Sequence, residues 1–255
     1  MISIVMAVKD SLDYTKRGIQ SILENTECDF ELVVVDNGSA QDTVDYLNSL
    51  NQPQIRILRN EENIGCAGAW NQGIKAATGE YVMVANNDIE VPRGWLTTLQ
   101  KVHAETGAAW VTPCIREGDL DYDFEAFHKE FTGKFGDKLW EDQFRAMALF
   151  SRRDLYTEVV GMFDEAYKFG VYEDEDMFWR IKKKGMRSVI TGSVIIHHYG
   201  SKTVSSQKRK TPQFIKNNRK TFHRKWWTNY FTRKRLKRRI KKELIDFKNE
   251  NGFVY

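Results

Sequence analysis

The sequence has no apolar stretch long enough to cross a membrane, and it contains few cysteines. No run approaches the roughly 18 to 20 uninterrupted apolar residues that a membrane-spanning helix needs, which indicates a soluble or peripheral protein. The three cysteines, Cys28, Cys66 and Cys114, are odd in number and far apart. This spacing fits neither a disulfide framework nor a zinc knuckle.

The N-terminal apolar segment also lacks the features of a secretion signal. Residues 1–8 have no basic lead-in and no small-residue cleavage site after them. We therefore interpret them as a first β-strand. Together with the few cysteines, this favours a reducing, cytoplasmic setting, with peripheral contact at a membrane as an open possibility.

Charge is distributed unevenly along the 255 residues, whose formal net charge is +4. Residues 201–255 contain 18 Lys and Arg against 3 Asp and Glu and so carry +15, whereas residues 1–200 carry −11. An acidic body suggests cation binding, and a basic tail suggests contact with a polyanion.

Short runs rich in Val and Ile alternate with segments of helical periodicity in the first hundred residues. The predicted strands are 2–8, 30–35, 55–58 and 81–85, and the predicted helices are 13–23, 43–50, 67–77 and 95–103. This alternation predicts an α/β fold with a largely parallel sheet covered on both faces. Ligands bind at the carboxyl ends of such strands, where Asp36 and Asp88 fall.

The second hundred residues are less regular. Residues 118–142 show no periodicity and mix acidic with aromatic residues. Regularity returns at 144–150, followed by predicted helices near 154–160 and at 173–184 and a strand at 188–196.

Several segments, taken in order, resemble a known enzyme family. They are Ile4 to Val8, VVVDNGS at 33–39, NIGCAGAWNQGIKAATGEYVMVANND at 63–88, GMFDE at 161–165, EDEDMFWR at 173–180 and HHYGS at 197–201. Together they resemble the inverting family 2 glycosyltransferases of the GT-A fold, of the rhamnosyl- and galactofuranosyl-transferase type. The resemblance covers about residues 2–229.

The resemblance implies a Rossmann-like nucleotide-diphospho-sugar transferase fold. It implies a GT-A catalytic domain over 1–200, with the donor-binding half at about 1–105 and the acceptor half at about 106–200, before a basic and helical extension over 201–255. The implied activity is metal-dependent, inverting transfer from a nucleotide-diphosphate sugar, UDP- or dTDP-sugar favoured, to a hydroxyl of a glycan or lipid-linked glycan.

By the same resemblance, Asp88 is the last carboxylate of a metal-binding motif formed by Asn86-Asn87-Asp88. Hard oxygen ligands suit Mn²⁺ or Mg²⁺. Because only Asp88 is charged in this triplet, phosphates, water or another side chain must complete the coordination; a polar strand-to-loop turn is the alternative. His198 is the expected further ligand and His197 the alternate, since neighbouring strand residues face opposite sides.

Donor-binding residues are also implied by the resemblance. Asp36 is expected to hold the uracil or ribose, although Asp-Asn-Gly-Ser is strong turn chemistry in its own right and both roles can coexist. Asn63, Gly65, Asn71 and Asn87 are expected to line the donor phosphates and sugar; the alternative for 63–77 is a loop followed by a helix whose alanines pack.

The first loop departs from the family pattern. The usual Pro-x-Tyr-Asn after the first strand is replaced by Ala7-Val8-Lys9-Asp10. We expect Asp10 to substitute for a nucleotide contact.

Four acids in a row, Glu173 to Asp176, are electrostatically costly unless a cation lies nearby or one member stays protonated. Helical spacing places Glu173 and Asp176 on one face and allows an Asp176–Arg180 ion pair. The resemblance implies that Asp174 is the general base that deprotonates the acceptor hydroxyl. Acids that favour the dipole at a helix N-terminus are the alternative.

The extreme C-terminal segment predicts an amphipathic basic helix. Residues 233–242 contain eight basic residues in ten, and apolar residues follow at helical spacing to 247. This helix could lie on an anionic membrane next to a lipid-linked acceptor. It could bind nucleic acid, which would indicate glycosyl transfer to hydroxymethylated bases of DNA, as in some viral glycosyltransferases. It could also pack on the catalytic domain.

For the whole protein, the alternative to an enzyme is a non-catalytic protein that binds a sugar nucleotide or a polyanion.

Overall fold

A nine-stranded sheet forms the centre of the part of the chain that the computed structural model describes, residues 1–200 and 213–226. In chain order the strands are β1 (Ile2–Val8), β2 (Phe30–Asn37), β3 (Ile55–Asn60), β4 (Tyr81–Ala85), β5 (Ile89–Glu90), β6 (Trp110–Glu117), β7 (Leu139–Glu141), β8 (Ala148–Arg152) and β9 (Ser188–His198). Their spatial order is β3-β2-β1-β4-β8-β6-β9-β5, with β7 also paired to β9.

Helices connect these strands and cover both faces of the sheet. They are α1 (Leu12–Asn25), α2 (Gln41–Ser49), α3 (Cys66–Ala76), α4 (Trp95–Thr106), α5 (Phe124–Phe135), α6 (Glu173–Lys183) and α7 (Gln213–Trp226), with one π-helical turn at Leu155–Val159. Strands β1 to β4 pair in parallel, whereas β8 runs antiparallel to both β4 and β6. The α/β architecture with a mostly parallel sheet is therefore confirmed.

Alternate residues of the central strands enter two separate cores, as the period of a strand requires. Ile4 and Met6 of β1 pack beneath α1 and α4, while Val5 packs against α3 and α6 on the opposite face. A third, smaller core lies under α5. Because both faces are buried, the strands are continuous runs of Val, Ile and Met.

The irregular region was incompletely predicted. Residues 118–142 contain α5 and β7, and the preceding strand β6 was not predicted at all. Helix α5 is specified by Phe127, Phe131 and Phe135, one turn apart, which pack against β6, β7 and β9. These phenylalanines form a narrow stripe with mostly polar residues between them, so the sequence shows only weak helical periodicity here. The helix predicted near 154–160 is only the π-helical turn.

The predicted amphipathic helix at 233–247, with its proposed polyanion contact, lies outside the described residues. Within 1–200 and 213–226, no helix has both the length and the apolar character needed to cross a bilayer. The division into a domain at 1–200, with its two halves, and an extension at 201–255 stays a prediction.

Two helical glycines give a matched test of packing against the sheet. A Cβ added to Gly73 in α3 would lie 2.3 Å from Cγ1 of Val5, whereas one added to Gly133 in α5 meets nothing within 4 Å. We expect Gly73→Ala to lower the free energy of unfolding by about 1–3 kcal/mol through overpacking. Gly133→Ala should raise it by about 0.5–1 kcal/mol through helix propensity. Equilibrium urea unfolding measures both, and a Gly73→Ala midpoint equal to that of the wild type would contradict the packing argument.

Candidate active site

A cavity of about 550 Å³ opens at the carboxyl ends of β1, β2 and β4. These ends lie together because β1 pairs in parallel with both neighbours. The charged and amide side chains that line it, among the described residues, are Lys9, Asn37, Asn63, Asn86, Asn87, Asp88, Glu173, Asp174 and Glu175. Several residues predicted from separate motifs therefore share one cavity.

Asp88 and His198 are brought together by the short strand β5. Strand β5 begins directly after Asp88. Its first residue, Ile89, pairs antiparallel with His198 of β9. Nε2 of the buried His198 lies 3.2 Å from Oδ1 of Asp88, and Nδ1 lies 3.3 Å from Oε1 of Glu117. Burial alone would lower the pKa of His198, but the neighbouring carboxylates of Asp88 and Glu117 raise it to about 9.

His197 faces the opposite side of β9. Its Nδ1 lies 2.8 Å from the hydroxyl of Tyr122. Burial, followed by the charges of His198 and Arg116, lowers the pKa of His197 to about 4. Of the two histidines, His198 is the one that the fold places against Asp88.

The pair of Asp88 and His198 suits a divalent cation that obtains its other ligands from elsewhere. Within residues 1–200 and 213–226, no group of three His, Cys, Asp or Glu side chains is placed to hold a metal ion. Mg²⁺ sites in proteins commonly use only one or two carboxylates and fill the rest with water and substrate phosphates. Glu117, on the second nitrogen of His198, occupies the position of a carboxylate that orients a metal-binding imidazole.

Asp36 is buried at the end of β2 with partners of its own. Its Oδ1 accepts a hydrogen bond from the backbone N–H of Ser39 at 2.9 Å, and its Oδ2 lies 2.5 Å from a guanidinium nitrogen of Arg59. The turn chemistry expected for this segment is therefore present. Asp36 is not among the described residues that line the cavity.

Asp10, which follows β1, hydrogen-bonds the loop that follows β2. Its Oδ1 accepts from the backbone N–H of Ala40 at 2.7 Å, and its own N–H donates to Ser39 Oγ at 2.9 Å. Burial opposes ionisation, but the hydrogen bonds from Lys9 and Ala40 prevail and lower the pKa of Asp10. Asp10 thus stays ionised beside the cavity.

Asn63 and Gly65 form the turn that leads into α3. Oδ1 of Asn63 accepts from Asn37 Nδ2 at 2.9 Å and from the N–H of Gly65 at 2.8 Å. Gly65 has a φ of 88°, and a Cβ there would lie 3.1 Å from the backbone nitrogen of Phe169. The glycine therefore allows two loops of the cavity to approach closely.

Asn71 is buried below the cavity instead of lining it. Its amide exchanges two 2.9 Å hydrogen bonds with the backbone of Phe163 and also donates to Glu165 at 2.8 Å. These bonds hold the GMFDE segment against α3. Its predicted contact with donor stays a prediction, as does that of Asp36.

Helix α1 packs against the loop that carries Asp88. This contact was not predicted from the sequence. Asn87 Nδ2 donates to Thr15 Oγ1 at 2.8 Å, and a Cβ on Gly18 would lie 2.5 Å from the carbonyl oxygen of Asn87. A glycine inside a helical pattern is a signal for such close approach.

The four acids of α6 occupy different environments. Asp176 is fully buried and accepts from Arg180 Nε at 2.9 Å and Trp226 Nε1 at 2.7 Å, so the expected ion pair is present. Glu173 is buried beside the cavity, and its Oε2 has no hydrogen-bonding partner among the described residues. Burial, followed by the charge of Asp174, raises the pKa of Glu173 to about 8. Asp174 lines the cavity.

The segment before α6 is conformationally strained. Phe169, Gly170, Val171 and Tyr172 all have positive φ, of 59°, 107°, 71° and 83°. Left-handed backbone at a non-glycine residue costs on the order of 1–3 kcal/mol, and a β-branched residue such as Val171 is a genuine outlier there. Such strain persists only where the surroundings hold it.

Comparison with solved structures identifies the fold. The crystal structure of GalNAc-T7 with UDP, GalNAc and Mn²⁺ superposes with a TM-score of 0.64 at 16% identity, covering 78% of this chain and 44% of that one. The crystal structure of S. aureus TarS 1–349 in complex with UDP-GlcNAc superposes with a TM-score of 0.64 at 15% identity, covering 85% and 64%.

Curated relatives are similar over shorter segments. Glycosyltransferase GlyG of Streptococcus pneumoniae is 28% identical over 110 residues, which are 42% of this chain and 36% of the relative. The Escherichia coli UDP-Glc:alpha-D-GlcNAc-diphosphoundecaprenol beta-1,3-glucosyltransferase WfaP is 30% identical over 98 residues, 38% of each chain. This chain thus matches little more than a third of either relative's length.

The first two thirds of the chain match a family profile. Residues 3–170 match the profile described as Glycosyl transferase family 2, a span that contains the strand ends, Asp36 and Asp88. This match covers more than half of the chain and shows that the chain belongs to glycosyltransferase family 2, and the two structural neighbours show the GT-A fold.

Proposed function

We propose that the protein is a metal-dependent, inverting glycosyltransferase that moves a sugar from a nucleotide-diphosphate donor to an acceptor hydroxyl. The observation that carries this proposal is the convergence on one cavity of Asp88, His198 beside it, and Asp174. A cation-binding pair and a carboxylate base at one site are the parts that such a displacement needs.

A nucleotide-diphosphate sugar fits the cavity, whose volume lies within the range of small-molecule sites. UDP-sugars and dTDP-sugars are the favoured donors, and the crystal structures of both structural neighbours contain UDP or a UDP-sugar. We assign the nucleoside to the region of Asp10 and Asp36, and the phosphates and sugar to Asn63, Gly65 and Asn87.

Asp88 and His198 would hold Mn²⁺ or Mg²⁺, with Glu117 fixing the orientation of the imidazole. When bound, the ion supplies neutralisation of the charge that develops on the departing nucleotide diphosphate. The GalNAc-T7 crystal structure contains Mn²⁺ together with UDP, which supports this assignment.

Asp174 would accept the proton of the acceptor hydroxyl while that oxygen attacks the anomeric carbon. The bond from the anomeric carbon to the diphosphate oxygen breaks as the new bond forms, so a single displacement inverts the configuration. Glu173 supports this role because its raised pKa keeps it protonated at neutral pH. A neutral neighbour removes the like-charge repulsion that a second carboxylate would exert on Asp174.

A glycan or lipid-linked glycan is the favoured acceptor. The E. coli relative is named for transfer to a sugar on diphosphoundecaprenol. Ile64, Phe169 and Val171, in the segments that border the cavity, expose 42%, 52% and 42% of their surface. Apolar side chains of this kind can pack against the carbon faces of a saccharide.

Replacement of the two central carboxylates tests the activity. Release of UDP or dTDP from a panel of UDP- and dTDP-sugars with Mn²⁺ should fall by about 10²- to 10⁴-fold in Asp174→Asn, because the proton acceptor is lost. In Asp88→Asn, the Mn²⁺-dependent rise in melting temperature with UDP should disappear, since ligand stabilisation follows mass action.

Asp137→Asn is the matched control, because Asp137 is exposed and is not among the described cavity residues. It should retain wild-type turnover. Full turnover in Asp174→Asn would contradict the catalytic role and favour the non-catalytic alternative.

The buried acid Glu173 predicts an unusual dependence of stability on pH. Between its ordinary pKa of 4.5 and its folded pKa of about 8, the folded chain binds a proton that the unfolded chain has lost. The free energy of unfolding therefore falls as pH rises through this window. Glu173→Gln should match the wild type below pH 4.5 and gain stability relative to it progressively up to pH 8, at up to about 1.4 kcal/mol per pH unit.

Urea unfolding at a series of pH values in metal-free buffer measures this difference. Glu130→Gln, at an exposed position of α5, should show no such gain. A Glu173→Gln stability difference that is constant with pH would contradict the assigned protonation.

A further inference from the structure

Asn218 of α7 hydrogen-bonds the backbone of the strained segment that precedes α6. Its Oδ1 accepts from the N–H of Lys168 at 3.1 Å. Its Nδ2 contacts the carbonyl oxygens of Lys168, Gly170 and Val171 at 2.9, 2.9 and 3.2 Å. The side chain is 2% exposed, so these bonds are shielded from water. One primary amide thus contacts four backbone groups, and its two N–H donors are shared among three carbonyl oxygens.

The segment that Asn218 contacts cannot hold itself by regular backbone hydrogen bonds. Four consecutive positive φ angles, at 169–172, prevent continuation of either a strand or a helix. An amide is the side chain that matches this demand, because it carries both an acceptor for an N–H group and two donors for carbonyl groups. Carboxylate or aliphatic side chains of similar size lack the donors.

The position of this segment connects Asn218 to the proposed base. Val171 is the last residue whose carbonyl the amide contacts, and Asp174 follows three residues later, in the first turn of α6. Displacement of the segment would therefore move the start of α6 and the carboxylate on it.

Other residues of α7 contact the chain just before and just after Asp174. Phe222 packs against Tyr172 with ring centroids 5.1 Å apart. Trp226 and Lys225 contact the buried Asp176, at 2.7 and 2.8 Å. Helix α7 therefore holds the chain on both sides of Asp174, and Asn218 is its contact on the side of the strained segment.

We propose that Asn218 is a positioning residue for the transfer reaction, which sets the location of Asp174 through the backbone of 168–171. This inference rests on the proposed function. It assigns a role in the reaction to a helix that lies outside the residues matched by the family profile.

The test compares Asn218→Ala with the matched control Asn217→Ala, an exposed asparagine at the adjacent position of the same helix. Turnover is followed as release of the nucleotide diphosphate with Mn²⁺, from the UDP- or dTDP-sugar of the panel on which the wild type is most active. The temperature is kept well below the melting temperature, so that each variant is folded. In Asn218→Ala, kcat should fall by about 10- to 100-fold while KM for the donor changes by less than about threefold, because misplacement of a reacting group by about 1 Å costs this much. Asn217→Ala should match the wild type.

Hydrogen exchange supplies a readout that does not depend on activity. Amides of residues 168–174 should exchange at least about tenfold faster in Asn218→Ala, with those of 213–226 less affected. If Asn218→Ala fails to fold, Asn218→Asp preserves the shape and the acceptor while removing the donors, and the same losses are expected from it.

Two results would overturn the inference. One is a folded variant whose kcat stays within twofold of the wild type, which would mean that the amide has only a structural role. The other is unchanged exchange at 168–174. If the wild type releases no UDP or dTDP from any donor, the proposed function fails separately, and the exchange measurement still decides whether Asn218 holds the segment.

Discussion

The parallel pairing of β1 with β2 and β4 is the constraint on which the cavity depends. Val8 lies opposite Asp36, and Met6 lies opposite Ala85, so strands β1, β2 and β4 end close together at the same edge of the sheet. The turns after them are therefore neighbours, although they are separated by up to about eighty residues in sequence. A register slip of one residue would exchange the side chains that fill the two cores, so close packing on both faces maintains this alignment.

The second half of the chain supplies the remaining groups through mixed pairing. Antiparallel β5 places His198 against Asp88, and α6 delivers its acids from the other wall of the cavity. Helical geometry separates these acids by role: Asp176 turns inward to Arg180 and Trp226, while Asp174 lines the cavity. The electrostatic cost of the acidic run is thus reduced by the half-buried guanidinium of Arg180 at Asp176 and by the raised pKa of Glu173.

Apart from the two-residue strand β5, the strands and helices of the first hundred residues were predictable because their periodicity is local and strong. Strand β6 and helix α5 were not predicted, because α5 presents only a narrow stripe of phenylalanines and its partner surface is assembled from β6, β7 and β9. The motif residues Asp88, Asp174 and His198 were named from the sequence. Glu117, Gly18 and Asn218 were missed, since each acts through a contact with a residue far along the chain.

The sequence by itself determined the alternation of strands and helices, the turn at Asp36 and the acidic start of α6, because hydrophobic periodicity, turn chemistry and helical spacing act between near neighbours. Only the tertiary structure decided that His198 and not His197 meets Asp88, that Asn71 is buried under the cavity, and that α7 holds the segment before Asp174. These outcomes depend on strand register and helix docking across up to 110 or so residues. Such long-range geometry follows from the packing of the whole core and cannot be deduced from a local sequence pattern.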